Sequence, residues 1–380
     1  MVTVQAGSHV YQLLQLLAIS VEIPASLLHL LGSERSIKDL VHKMESAQDI
    51  RFPPNESVLR TKLLSVSGQR EKRNIRLTKS ALPLLDGLHP GALEYYLRVS
   101  KNHQLSGGHY HIDRSHRVGE VIAMTMMAEL EFRPYILPRL QNKVKNPIPF
   151  PKPSFYIARD FKENSYDEMD KTTFTRIVGA VFYPGGCYAV YNTRNAVMKW
   201  SGAGEFKVAA LLTDLARRNA GLGEVNSTLL FSNDPAVALQ TVLESDRNRT
   251  SSTGIHSIYR RVHFVPLSAD GIKLLQILTL PDWNERMLDA FFETEQRPKG
   301  YSSFEYDARI NGVYVFSHLD ADLARLIRFR EGLRLEAETK NQFEVLCYTW
   351  QRDFLKSYLG DRVKLKIYRT EVIQNAVQQA

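Results

Sequence analysis

Glu205 and Lys207 stand at i and i+2 in the run Ala203-Gly204-Glu205-Phe206-Lys207. Metal-dependent nucleases of the PD-(D/E)xK class carry an acid-x-lysine on one strand and a further acid on the strand before it. There the carboxylates hold Mg²⁺ and the lysine stabilises the attacking water or the transition state. The strand-like runs ahead of Glu205 supply Val181, Phe182, Tyr188 and Tyr191, with no aspartate where the second ligand belongs. Glu205 also opens a helical run, where an acid favours the N-terminal dipole whatever else it does. The pair is a candidate catalytic centre with an incomplete set of ligands.

The densest histidine cluster is His103, His109, His111 and His116. On a strand, His109 and His111 share a face, and His103 or His116 completes a zinc shell. A polar loop leading into a helix capped by Asp113 or Ser115 accounts for the same residues. The only cysteines, Cys187 and Cys347, lie far apart, which excludes a disulfide framework and a CxxC zinc site and suggests free buried thiols. Two strand ends, Ser232-Asn233-Asp234 and Ser317-His318-Leu319-Asp320, could line a crevice for a small ligand at the carboxyl edge of a parallel sheet. No GxxxxGK[ST] or GxGxxG loop accompanies them, so no phosphate cradle and no cofactor is expected. Tyr348, Trp350, Arg352, Lys356, Arg362, Lys364, Lys366 and Arg369 form a basic and aromatic string near the end of the chain. It reads as a second nucleic-acid surface or, more simply, as a lysine-guarded edge strand.

The elements that must position these residues fall into two textures. Residues 9–85 read as helix His9–Ser20, a short helix through the run Ala25–Leu31, and a third helix from Ser33 or Ser36. A hairpin of Lys62–Val66 against Asn74–Leu77 follows, with Gln69–Arg73 at its tip. Thr78 is placed to cap a helix to Leu85. Residues 92–105 and 114–131 read as helices of a connector, and four prolines in 146–153 mark a soft boundary. Beyond it, strand runs at 154–158, 177–182, 188–191 and 196–200 have hairpin-like turns at 183–186 and 192–195, and helices 205–219, 234–244 and 269–278 then alternate with strands 227–231 and 262–265. The last part reads as a βαβαβ unit built from 312–316, 320–331, 343–348, 350–359 and 363–368. The fold class is thus α+β or α/β. It comprises a winged helix-turn-helix over 1–88, a helical connector over 89–150, and an α/β region with a mixed sheet over 151–380. That last region could be nuclease-like without a complete site, or two subdomains. Thr228–Val242 and Val313–Ile327 resemble each other, either by duplication or because both are strand-turn-helix units with the same capping chemistry.

Charge points to the partner. The 380-residue chain carries a formal +8, and residues 1–85 hold eleven Lys and Arg against seven Asp and Glu, half of that excess. A helix-turn-helix sets its second helix in the major groove, and a basic wing tip reaches phosphate. Ser33, Arg35, Ser36, Lys38, Asp39 and Lys43 belong to the start and body of that helix. Arg60, Lys62, Arg70, Lys72 and Arg73 lie on or beside the wing. Arginine or lysine at the helix would address guanine edges, and the wing residues phosphates. A winged helix used only for protein contact is the alternative. No run of apolar residues is long enough to span a bilayer, and the N-terminus carries no signal-peptide pattern, so a cytoplasmic protein with no membrane partner is expected.

The helix-turn-helix around Tyr11–Glu45, the strand ending Ile75-Arg76-Leu77-Thr78 and the later Ser154–Lys162 stretch resemble, in layout, the replication-relaxation type of winged-helix proteins. These are carried on plasmids and integrative elements of Gram-positive bacteria. The resemblance covers about the first 220 residues. It implies a role in replication or transfer of a mobile element and transfers no active site. The expected protein binds double-stranded DNA as a transcriptional regulator or a replication or transfer accessory factor. Its α/β region would dimerise or recruit a protein partner. The competing readings are a nuclease-like enzyme using Glu205 and Lys207, a ligand-responsive domain around Asp234 and Asp320, and a structural adaptor.

Overall fold

The structure is a computed structural model. It describes residues 1–51, 58–69, 73–88, 91–100, 103, 105, 108–132, 152–163, 173–174, 176–198, 202–247, 258–300, 304–336 and 338–380. The chain is mixed α and β and divides into two compact units, Met1–Leu137 and Pro138–Ala380.

In the first unit, strand β1 (Val2–Thr3) precedes helix α1 (His9–Ser20), whose Ser8 hydroxyl accepts from the Tyr11 amide at 3.3 Å. Leu13, Leu14, Leu16, Leu17 and Ile19 are all buried, so α1 is a central helix rather than an amphipathic surface one. It stops at Val21, a β-branched residue held at φ 67°. Strand β2 (Glu22–Pro24) follows. The expected short helix is a 3₁₀ segment, Ala25–Leu31, which Pro24 opens and Gly32 at φ 133° ends. Helix α2 spans Glu34–Met44. Strands β3 (Gln48–Arg51) and β4 (Val58–Thr61) pair antiparallel, and β1 joins β3 in parallel. The hairpin expected next is β5 (Leu64–Ser67) with β6 (Asn74–Leu77), and β2 completes a sheet of order β2-β6-β5.

Thr78 does not cap a helix through its side chain. Its hydroxyl donates to the Lys62 carbonyl, and the chain continues as a 3₁₀ turn, Lys79–Leu84, and the short α3 (Leu85–Leu88). Helix α4 (Ala92–Val99) stops sooner than expected, and α5 (His109–Met127) starts sooner. Gly108, not Asp113 or Ser115, is the residue ahead of α5; Asp113 instead pairs with Arg117 at 2.9 Å. The segment expected as a connector thus contributes to the first unit, since α4 and α5 pack on α1. Their apolar faces, with Tyr95, Tyr96, Val121, Ile122 and Met124 buried, need a partner that a connector would not have. A short strand β7 (Glu131–Phe132) follows.

Among its described residues the second unit contains two sheets. Strands β8 (Ser154–Ile157), β9 (Gly179–Tyr183) and β10 (Gly186–Arg194) form an antiparallel meander. Helix α6 (Ala158–Glu163) follows β8. Helix α7 (Ala203–Ala220) leads to β11 (Ser227–Ser232), and α8 (Pro235–Arg247) to β12 (Arg261–Pro266). These last two strands extend the sheet in parallel, giving the order β12-β11-β10-β9-β8 within this unit. The separate strand expected at 196–200 is not formed at 196–198, and 199–200 lie outside the described residues. Helices α9 (Ala269–Leu278) and α10 (Trp283–Phe291) come next.

The second sheet starts with β13 (Ala308–Ile310) antiparallel to β14 (Val313–Ser317). It continues in parallel through α11 (Leu323–Leu335), β15 (Gln342–Tyr348), α12 (Arg352–Leu359) and β16 (Val363–Tyr368). This is the expected βαβαβ unit with one antiparallel strand added and a final helix, α13 (Thr370–Gln379). Helix α11 begins three residues later than expected because Asp322 is its cap. The Asp322 carboxylate accepts from the amides of Ala324 and Arg325. Cys187 and Cys347 are free and buried, and burial pushes both thiols up, Cys347 to about 12. Among the described residues no helix is long and apolar enough to cross a membrane.

Candidate nucleic-acid interface

Helix α2 owes its orientation to three residues. Ile37, Val41 and Met44, at i, i+4 and i+7, are buried and fix one face toward the core. Arg35, Ser36, Lys38, Asp39, His42 and Lys43 are consequently exposed. Ser33 sits at the N-cap without a side-chain capping bond. Glu34 in the first turn and His42 and Lys43 in the last suit the helix dipole. Lys38 lies 2.5 Å from Glu34, and its hydrogen bond and charge hold the Glu34 carboxyl below the usual range. Elsewhere in the first unit, Arg60 on β4, Lys62 between β4 and β5, and Arg73 at the foot of the β5–β6 hairpin are also exposed. The Ala25 amide donates to the Arg73 carbonyl at 2.8 Å, which ties the hairpin foot to the 3₁₀ segment ahead of α2. Arg70 and Lys72, expected at the wing tip, lie outside the described residues.

The histidines do not form the strand-borne shell that their spacing allowed. His109 and His111 stand in the first turn of a helix, where i and i+2 point about 160° apart. His116 is buried and meets Glu22 of β2 at 3.2 Å. His103, at φ 55°, stacks against Tyr96 with ring centroids 6.0 Å apart. Among the described residues no three His, Cys, Asp or Glu side chains converge as metal ligands.

Glu205 and Lys207 are likewise separated by helical geometry. Glu205 is fully buried in the first turn of α7 and pairs with Arg176 at 2.5 Å, while Lys207 faces solvent. Tyr191 and Tyr259, hydroxyl to hydroxyl at 2.9 Å, lie within electrostatic reach of Glu205. The strand acid-x-lysine of a nuclease is therefore not assembled from these two residues.

The two strand ends expected to share a crevice also part company. Asp234 is exposed and caps α8 through the Ala236 amide at 2.8 Å. His318 and Asp320 instead belong to a closed polar joint between the two sheets of the second unit. Residues 320–322 run beside edge strand β12: the Phe264 amide donates to the Ala321 carbonyl at 2.9 Å and the Val262 amide to Asp322 Oδ1 at 2.9 Å. His263 Nδ1 lies 2.8 Å from the Asp320 carbonyl. A carbonyl only accepts, so Nδ1 carries the proton. Arg325 reaches Asp307 at 2.7 Å, Asp320 at 3.1 Å and Glu305 at 3.6 Å.

The environment sets the charges of this joint. Burial would raise Asp320, but Arg325, His263 and His318 overcome it and leave its carboxyl lowered to about 2. Burial raises Asp307 against the pull of Arg325, and burial with the Asp320 charge raises Asp322. Burial drives His318 down to about 4, and among the described residues neither of its ring nitrogens has a hydrogen-bond partner. Asp322 could have been read from the sequence as an N-cap before an apolar helical run. His263, inside the run Arg261–Pro266, offered no such signal.

No protein-family model matches the chain, and no curated protein and no solved structure matches it.

Proposed function

We propose that the chain is a double-stranded DNA-binding protein whose first unit docks as a winged helix-turn-helix, with α2 as the recognition helix and β5–β6 as the wing. The observation that carries this reading is α2 itself. Ile37, Val41 and Met44 are buried along one side, and the outer side offers Arg35, Lys38, His42 and Lys43; Arg60, Lys62 and Arg73 are further exposed cations of the same unit. A helix of that kind, backed by a helix-strand-helix support and followed by a hairpin, suits the major groove, with the hairpin over phosphate. The second unit is proposed to dimerise or to recruit a protein partner. A transcriptional regulator, or a replication or transfer accessory factor of a mobile element, fits this division of labour and the layout resemblance.

The test is binding of the full chain to mixed-sequence duplex across a salt series. Affinity falls linearly in log–log form, and each phosphate contact removed lowers the slope by about 0.9. Replacing Lys43, Arg60 and Lys62 with alanine together weakens binding about equally on every sequence. Unchanged affinity and slope in that triple variant would overturn the assignment of this face.

A further inference from the structure

One residue of α2 is out of keeping with a surface built only to attract phosphate. At about 100° per residue, Ile37, Val41 and Met44 define the core direction, and Arg35, Asp39 and His42 fall within about 50° of the opposite one. Asp39 lies nearest to that outermost line. The acids of the helix divide accordingly. Glu34 binds Lys38 and Glu45 faces His42 at 3.8 Å, both on the flank, whereas among the described residues Asp39 has no cation within salt-bridge distance. An exposed carboxylate at the centre of a DNA-facing helix repels every phosphate near it and gains only where it meets a donor. In the major groove the donor suited to a carboxylate is the cytosine N4 amino group.

We infer that Asp39 is a specificity-determining residue that accepts a hydrogen bond from cytosine N4 while Arg35, one turn nearer the helix N-terminus, addresses guanine. This rests on the DNA-docking reading above and goes beyond it, because phosphate attraction alone needs no acid there. Arg35 and Asp39 are about 6 Å apart along the helix axis against about 3.4 Å per base-pair step. They therefore address positions one or two steps apart, and the target half-site carries a guanine and a cytosine at that separation. Asp39 acts mainly by exclusion: a site lacking the amino group leaves a desolvated carboxylate unpaired, which penalises the wrong duplex more than it rewards the right one.

Selection from randomised duplexes by the full chain, followed by sequencing, tests this with Asp39→Asn and Asp39→Ala beside the wild type. The wild type fixes one cytosine near a guanine. Asp39→Asn moves the preference at that position to adenine, whose N6 and N7 suit a carboxamide. Asp39→Ala loses the preference there, and the ratio of cognate to non-cognate affinity falls by about 5- to 150-fold. Asp39 is exposed and makes no core contact, so both variants fold. If both variants select the same base as the wild type, Asp39 does not read sequence. If the wild type binds all duplexes alike, DNA docking stands and the specificity inference fails. If the wild type retains no duplex even at low salt, the docking reading falls and takes the inference with it.

Discussion

His318 lies between Phe316 and Phe354, its ring centroid 6.1 Å from each, with neither nitrogen hydrogen-bonded among the described residues. The charged groups facing it are Asp320, Arg325 and His263. Its folded pKa of about 4 lies below the ordinary 6.5, so the unfolded chain binds the proton more tightly. The neutral ring's contribution is complete above pH 6.5 and is lost as pH falls toward 4, up to about 3 kcal/mol in all. Urea unfolding at a series of pH values measures that slope, and His318→Phe, which keeps the aromatic packing, removes it over this window. A variant with the wild-type slope would place the titration elsewhere. Asp320 acts with the usual carboxylate sign and begins to matter only below about pH 4. At the first unit's outer face the readable residues were the charged ones. Arg35, Lys38 and Lys43 announce a surface by type alone, whereas a histidine such as His263 gives no hint of whether it faces solvent or core.

Helix α11 shows an element decided by its neighbour and not by its propensity. Gly332 lies inside it, where alanine would ordinarily gain about 1 kcal/mol. A Cβ at that position runs into the Cβ of Phe304, so the close approach outweighs the propensity. Gly332→Ala is expected to destabilise the protein by about 1–3 kcal/mol, read by chemical denaturation. The same helix depends on Asp322, which caps it and also holds the Val262 amide. Asp322→Ala is expected to cost about 2–4 kcal/mol, and Asp322→Asn, which keeps the acceptor oxygen, distinctly less.

Elements with a strong local signal were legible in the chain. Helix α9 has the expected bounds because Ser268 caps it and its apolar stripe is continuous. The β5–β6 hairpin and the parallel β14-β15-β16 set follow from alternation and turn residues. What was not legible was settled by distant contacts. Thr78 turns to the Lys62 carbonyl instead of capping, and α4 and α5 join the first unit because α1 offers them an apolar face. The Glu205–Lys207 spacing was real, but strand or helix, which tertiary packing decides, determines whether such a pair can converge.

At the scale of the second unit, one guanidinium balances two buried carboxylates, Asp307 and Asp320, and shares a third, Glu305, with Arg328. Arg325 lies among Asp307, Asp320 and Glu305, and these acids hold it charged although burial opposes it. Arg325→Met would leave buried acids uncompensated, at a cost of about 3–5 kcal/mol. Because Asp320 and Asp322 also clasp β12, loss of hydrogen-exchange protection is expected in β12 as well as in β14. Protection lost only in β14 would mean that the two sheets are held together by other contacts.

The clasp on β12 also bears on the order of events during synthesis. Val262 and Phe264 lie on the outer edge of the sheet that ends in β12, and among the described residues their amides donate to Asp322 and Ala321, about sixty residues further along the chain. Until that stretch has emerged, the edge is an open template for strand pairing with any neighbouring chain. A nascent chain stalled between α9 and β14 is therefore expected to self-associate more readily than the finished chain. The loop that joins the sheets in the finished protein acts, earlier in its history, as the shield that arrives last.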